Sequence, residues 1–183
     1  VKTIVVLAML GSPPTDFPPA DLGEFFALHL RVEASHGPVP SEILQQFQAL
    51  ESRLRAWPRN ETNDPFYAGS MALGRQLEAA LGHKVIVGFN EFCAPSLAEA
   101  FDAAVEQGAR QVVVATPMMT RGGEHSELDI PEAVDVAQRR YADVIFRYAW
   151  PFEPGRVATF LAEHIEQHLI PVGEAEPGGG KRS

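Results

Sequence analysis

Cysteine is almost absent from this chain: Cys93 is the single thiol in 183 residues. One thiol excludes an intrachain disulfide framework and fits a reducing compartment. Long apolar runs are missing too. The longest, Thr-Ile-Val-Val-Leu-Ala-Met-Leu at 3–10, falls far short of the roughly 20 residues a membrane-spanning helix needs. With only Lys2 ahead of it and Gly-Ser-Pro-Pro behind, it does not read as a secretion signal, so cytoplasm is the expected location and no membrane partner is expected. Positive charge is scarce. Lys and Arg number 15 against 24 Asp and Glu, a formal charge of −9, whereas a nucleic-acid surface needs clustered Lys and Arg. Catalytic fingerprints are missing as well. The first apolar run ends in Leu10-Gly11-Ser12-Pro13-Pro14, with neither G-x-G-x-x-G nor G-K-[ST], and its two prolines remove N–H groups that a phosphate cradle would use. There is no G-x-S-x-G elbow and no H-E-x-x-H.

What is present reads as one α/β domain. The apolar fraction of 45% excludes disorder for most of the chain. Four β-branched runs stand out at 3–10, 84–91, 111–117 and 143–149, and the first three are nearly continuous, as in strands covered on both faces. Helical patterns fall at about 21–33, 41–57, 66–81, 96–107, 130–141 and 155–169. Alternating strands and helices predict a doubly wound, mostly parallel four-stranded sheet with helices on both faces. The section from 11 to 83 is too long for one crossover helix and predicts extra helices between strands 1 and 2. These are separated near His36–Pro40 and Trp57–Pro65. Ser96 with Glu99 forms a capping box, Gly82 and Gly108 end helices, and Asp129 ahead of Pro131 reads as a helix cap. The expected limits are a single domain over 1–171 and a tail over 172–183 rich in glycine.

The chemistry-bearing stretch is Gly-Gly-Glu-His-Ser-Glu-Leu-Asp-Ile-Pro at 122–131, in the loop leaving the third strand. Ligands of open parallel sheets bind outside the carboxyl ends of the strands, so His125 belongs where such a protein does its chemistry. A solvated loop histidine capping the next helix is the plain alternative. Glu91 ends the second strand at the same sheet edge. A carboxylate and an imidazole converging there can hold a divalent metal between them, whereas an exposed strand-end acid is the bland reading. His164 and His168 share a helix face at i, i+4, and an exposed face is favoured for them.

Read in order, residues 84–152 resemble the sirohydrochlorin cobaltochelatase and ferrochelatase family. The matching pieces are Val-Gly-Phe-Asn-Glu-Phe-Cys-Ala-Pro-Ser-Leu-Ala-Glu-Ala-Phe (87–101), Gln-Gly-Ala-Arg-Gln-Val-Val-Val-Ala-Thr-Pro-Met-Met (107–119), the 122–131 run and Tyr-Ala-Trp-Pro-Phe (148–152). The resemblance implies a small doubly wound domain, often a homodimer, that inserts Co²⁺ or Fe²⁺ into a tetrapyrrole. The metal is then substrate, and no cofactor is permanently bound. His125 and Glu91 match the family's metal-insertion residues. Small members carry a histidine where this chain has Leu10, so one of two imidazoles is missing. The first 30 residues resemble instead the opening of protoporphyrin ferrochelatases, which also lack that histidine.

On this resemblance His125 is the base or metal-facing group, with Glu91 as its partner. Arg121, Ser12 and Met119 are expected to meet the macrocycle, Arg121 through a propionate. Glu124 and Glu127 are expected to conduct metal or protons. Leu10 favours a second reading, a non-catalytic binder of tetrapyrrole or metal. A third is an unrelated α/β domain in which His125 is only a loop residue.

Overall fold

The computed structural model describes residues 1–35 and 37–169, which leaves the expected tail at 172–183 and His36 outside the described residues. The four β-branched runs form β1 (Thr3–Met9), β2 (Lys84–Phe89), β3 (Gln111–Ala115) and β4 (Ile145–Tyr148). Every pairing among them is parallel and their order is β2-β1-β3-β4. Three helices precede β2: α1 (Pro19–Glu33), α2 (Ser41–Arg55) and α3 (Pro65–Leu81). After β2 come α4 (Leu97–Glu106), α5 (Ile130–Arg140) and α6 (Pro154–Glu166).

Strand alternation sorts the core into two layers. Ile4, Val6, Ala8, Val112 and Val114 pack with Leu97, Ala100, Phe101 and Ala104 of α4 and with Ile130, Val134 and Ala137 of α5. Val5, Leu7, Met9, Val85, Val87 and Phe89 face the other way, towards Tyr67, Met71 and Leu77 of α3. A third cluster, Phe17, Phe25 and Leu54 with Phe47, Trp57 and Phe92, binds α1 and α2 to the loop after β2. The helix ends follow their sequence signals. Ser96 accepts from Glu99 N–H while the Glu99 carboxylate accepts from Ser96 N–H, closing the capping box at α4. Gly82 ends α3 at a φ of 65°.

The Pro- and Asn-rich break between α2 and α3 holds a buried ion pair. Arg59 Nη1 donates to Asp64 Oδ2 at 2.5 Å, with the two side chains 3% and 0% exposed. Asp64 also caps α3, accepting from Tyr67 N–H at 2.8 Å, and takes the Ser12 hydroxyl at 3.0 Å. Arg59 reaches three carbonyls: Ser12 at 3.0 Å, Leu54 at 3.0 Å and Phe92. One pair therefore joins the loops after β1 and β2, the end of α2 and the start of α3.

Compact packing divides the chain after Trp150. The sheet and α1–α5 form the first unit. The second, from Pro151, contains α6, which Glu153 caps by accepting from Gly155 N–H at 3.0 Å and Arg156 N–H at 2.9 Å. These two bonds hold the Glu153 carboxyl below its ordinary range. On α6 the His164 and His168 rings lie 5.0 Å apart. Among the described residues no helix is long and apolar enough to cross a membrane.

Asp64→Ala leaves a guanidinium buried without its anion, and such a break typically costs about 3–5 kcal/mol. Urea unfolding of Asp64→Ala is expected to show a loss of that size. A double variant with Met at 59 and Leu at 64 loses less than the single one.

Candidate functional site

The sheet reverses its winding between β1 and β3. The chain leaves β1 for β2 on one side and leaves β3 for β4 on the other, so the crevice lies at the carboxyl ends of β1 and β3. The loop after β2 closes one wall of it. Asn90 N–H donates to Met9 O and Glu91 N–H to Leu10 O, both at 2.8 Å, which carries the ladder one step past the strands. Gly11, at a φ of 102°, makes this possible: a Cβ there would stand 2.0 Å from the Glu91 carbonyl oxygen. Phe92 holds a φ of 56°, a left-handed conformation that bulky residues seldom adopt. Two guanidiniums restrain this backbone. Arg55 donates to Asn90 O at 3.2 Å and Cys93 O at 3.0 Å, and Arg59 donates to Phe92 O. Cys93 is buried beneath, and burial pushes its thiol pKa up.

His125 opens a single π-helical turn, His125–Asp129, that runs directly into α5, with Ile130 N–H donating to His125 O. Isolated π turns inside helices are frequent at functional sites. Pro131 gives this one a physical reason. It has no N–H to close an α turn onto Glu127, and its ring crowds that carbonyl. The wide turn aligns His125 with Asp129: His125 Nδ1 lies 2.7 Å from Asp129 Oδ2, and the side chains are 30% and 38% exposed. Asn90 Nδ2 donates to the same oxygen at 3.0 Å and lies 3.0 Å from His125 Nδ1.

Several expectations change here. Asp129 is not a cap: its backbone is already helical and its side chain makes no cap hydrogen bond. Its carboxylate serves the imidazole instead. The side chain that meets His125 from β2 is Asn90, not Glu91. β2 ends at Phe89, whose side chain faces α3, so the next residue, Asn90, takes the α4–α5 side where His125 lies. Glu91 lines a cavity of about 60 Å³ with Phe25, His29, Phe47 and Phe92. Ser12, expected at the substrate, spends its hydroxyl on Asp64. Arg121 is exposed but clasped: its Nε donates to Glu127 Oε1 at 3.0 Å, and Gly122 N–H donates to the same oxygen at 3.1 Å. Met119 is half-buried in the loop after β3, and Glu124 beside His125 is exposed. Tyr148 braces the turn by donating to Ser126 O at 3.0 Å, and burial with the nearby Glu127 charge pushes its pKa up to about 12. Asn90, Asp129, Arg55 and Arg59 escaped the sequence reading. The Asp four residues after His125 was visible there as helix spacing.

The Arg121 hydrogen bond, then the Gly122 N–H, holds the Glu127 carboxyl below its ordinary 4.5. A carboxylate with a lowered folded pKa stabilises above its unfolded value, and that contribution disappears as pH falls through the folded value. The Glu127 side-chain carbon signal is expected to titrate below 4.5 in NMR. Arg121→Ala returns it towards that ordinary value.

The sequence model of the CbiX family matches residues 62–168, which include β2, the 90–93 loop, β3 and the His125 turn. The sirohydrochlorin ferrochelatase of Priestia megaterium is 32% identical over 80 residues, covering 43% of this chain and 30% of that protein. The sirohydrochlorin cobaltochelatase of the same organism is 40% identical over 63 residues, covering 34% of this chain and 20% of that protein. The chain thus spans less than a third of the length of either curated relative. Among solved structures, a CbiX protein of Marinobacter aquaeolei, named for cobalamin (vitamin B12) biosynthesis, gives a TM-score of 0.49 at 16% identity, over 92% of this chain and 97% of that one. The sirohydrochlorin chelatase SirB from Bacillus subtilis subspecies spizizenii, solved in complex with cobalt, gives 0.44 at 17% identity, over 91% of this chain and 51% of that one. With more than half of its length matched by the family's sequence model, this chain belongs to the CbiX family.

Proposed function

We propose that this protein inserts a divalent metal, Co²⁺ or Fe²⁺, into a tetrapyrrole of the sirohydrochlorin type, with His125 as the group that meets the reacting centre. The observation that carries this is the placement of a half-exposed imidazole, fixed by a carboxylate, at the carboxyl edge of the sheet and inside the segment matched by the family. Insertion requires two pyrrole N–H protons to leave, a bent ring that exposes its nitrogen lone pairs, and a metal stripped of water. An imidazole at neutral pH can accept one such proton or take the metal as a ligand. Glu91 is proposed as a carboxylate facing the incoming ion from the α1–α2 side, where it lines a cavity with the His29 ring. Arg121 keeps a proposed role towards a ring propionate only if the propionate displaces Glu127 from its guanidinium.

Leu10 supports a second reading, a carrier that binds ring or metal without turnover. Glu91 N–H donates to Leu10 O, and the alternation that puts Ala8 on the α4–α5 side gives Leu10 the same side as Asn90 and His125. A histidine there would add a second imidazole to this face.

The test is insertion of Co²⁺, Fe²⁺ and Ni²⁺ into sirohydrochlorin and protoporphyrin, followed by absorbance. The wild-type protein is expected to metallate sirohydrochlorin, and His125→Ala to lose about 10²–10⁴-fold in rate, the usual share of a positioned base. Leu10→His is expected to raise the rate. Tight ring binding with no turnover, restored by Leu10→His, selects the carrier reading. Absence of both binding and turnover overturns both.

A further inference from the structure

We infer that Asp129, held by Asn90, is a positioning residue that fixes His125 in the Nδ1–H tautomer and leaves Nε2 as its reactive nitrogen. The functional consequence rests on the chelatase reading above, whereas the tautomer does not. A carboxylate is an acceptor only, and Asp129 Oδ2 has two nitrogen neighbours, His125 Nδ1 at 2.7 Å and Asn90 Nδ2 at 3.0 Å. Asn90 Nδ2 also lies 3.0 Å from His125 Nδ1, but that amide has Asp129 Oδ2 as its acceptor. The nearer carboxylate can only accept, so the single proton of the neutral ring is assigned to Nδ1. Nε2 then carries the free lone pair, the state needed to take a pyrrole proton or bind a metal. The 2.7 Å separation lies in the short range of hydrogen bonds to a charged acceptor.

The carboxylate cannot readily turn away. The π turn fixes it relative to His125 from within one helix, and Asn90 approaches from another element. Asn90 is itself anchored, donating its N–H to Met9 O and accepting at its carbonyl from Arg55. Asp129 has no structural duty that would explain its position, since it caps no helix and is 38% exposed. Outer partners of this kind orient a metal-facing histidine, and their loss typically lowers affinity or activity about 10–100-fold.

The experiment is long-range ¹⁵N–¹H NMR of the histidine rings at mildly alkaline pH, with His125 assigned by the signal missing from His125→Gln. Wild type is expected to show an Nδ1–H ring, and Asp129→Ala to shift His125 towards the Nε2–H form. Co²⁺ insertion into sirohydrochlorin by Asp129→Ala is expected to fall about 10–100-fold in kcat with little change in KM for the ring. Asp129→Asn, whose amide oxygen can still accept, should recover part of both. An Nε2–H ring in wild type, or a tautomer unmoved in Asp129→Ala and Asp129→Asn, overturns the inference. An Nδ1–H ring in a wild-type protein that inserts no metal upholds the tautomer and refutes the chelatase reading alone.

Discussion

Arg59 and Asp64 bury opposite charges at the meeting point of four segments, and the carboxyl edge of the sheet takes its shape from them. Removing two ions from water is costly unless their hydrogen-bonding capacity is filled. Here Asp64 receives the guanidinium, the Ser12 hydroxyl and an α3 amide, while Arg59 reaches carbonyls of Ser12, Leu54 and Phe92. Of the atoms of this pair, Arg59 Nε stays buried without a hydrogen-bond partner among the described residues. The groups served include carbonyls of Ser12 and Phe92 in loops with no regular structure and groups at the end of α2 and the start of α3, so the pair supplies partners that no secondary-structure ladder provides there. Arg55, at the end of α2, does the same for the carbonyls of Asn90 and Cys93. The loop after β2 is therefore tied down by both guanidiniums although it holds a left-handed phenylalanine.

The same chain of hydrogen bonds reaches the imidazole. Arg55 holds the backbone of Asn90, Asn90 holds Asp129, and Asp129 holds His125. Each link is a hydrogen bond between different elements or across the π turn, so the ring is oriented by the sheet edge as a whole. Successive strand residues point to opposite faces, so with Phe89 towards α3 the ring side falls to Asn90, and Glu91, one residue on, is not aimed at it. The His125 side thus belongs to a neutral amide, while the acid lines a cavity with the aromatic cluster of α1 and α2.

Most of the fold was legible because periodicity and punctuation are local signals. The three continuous β-branched runs, the Ser96–Glu99 box and Gly82 each act within a few residues, and the elements appear where those signals placed them. The buried ion pair was hidden because its residues sit among Pro, Asn, Glu and Thr, a composition that reads as a turn. Only distant contacts make it a core. The site was half legible. His125 declared itself through its glycines and its place after a strand, whereas Asp129 imitates a cap before Pro131 and Asn90 stands beside a more conspicuous acid. In both cases the deciding information was the direction of a side chain, which spacing alone does not fix at the end of an element.

The π turn has a further implication for how this edge can vary. An α-helix advances about 100° per residue, so a helix start that must both fill a core and present a ring to a ligand is bound to one rotational phase. The extra residue within His125–Asp129 breaks that bond. Ile130, Val134 and Ala137 keep their stripe against the sheet, while the imidazole is set on an independent azimuth. Shortening this stretch by a single position leaves the interior intact and swings the ring away from the crevice, so ligand choice can drift at this edge without disturbing the fold beneath it.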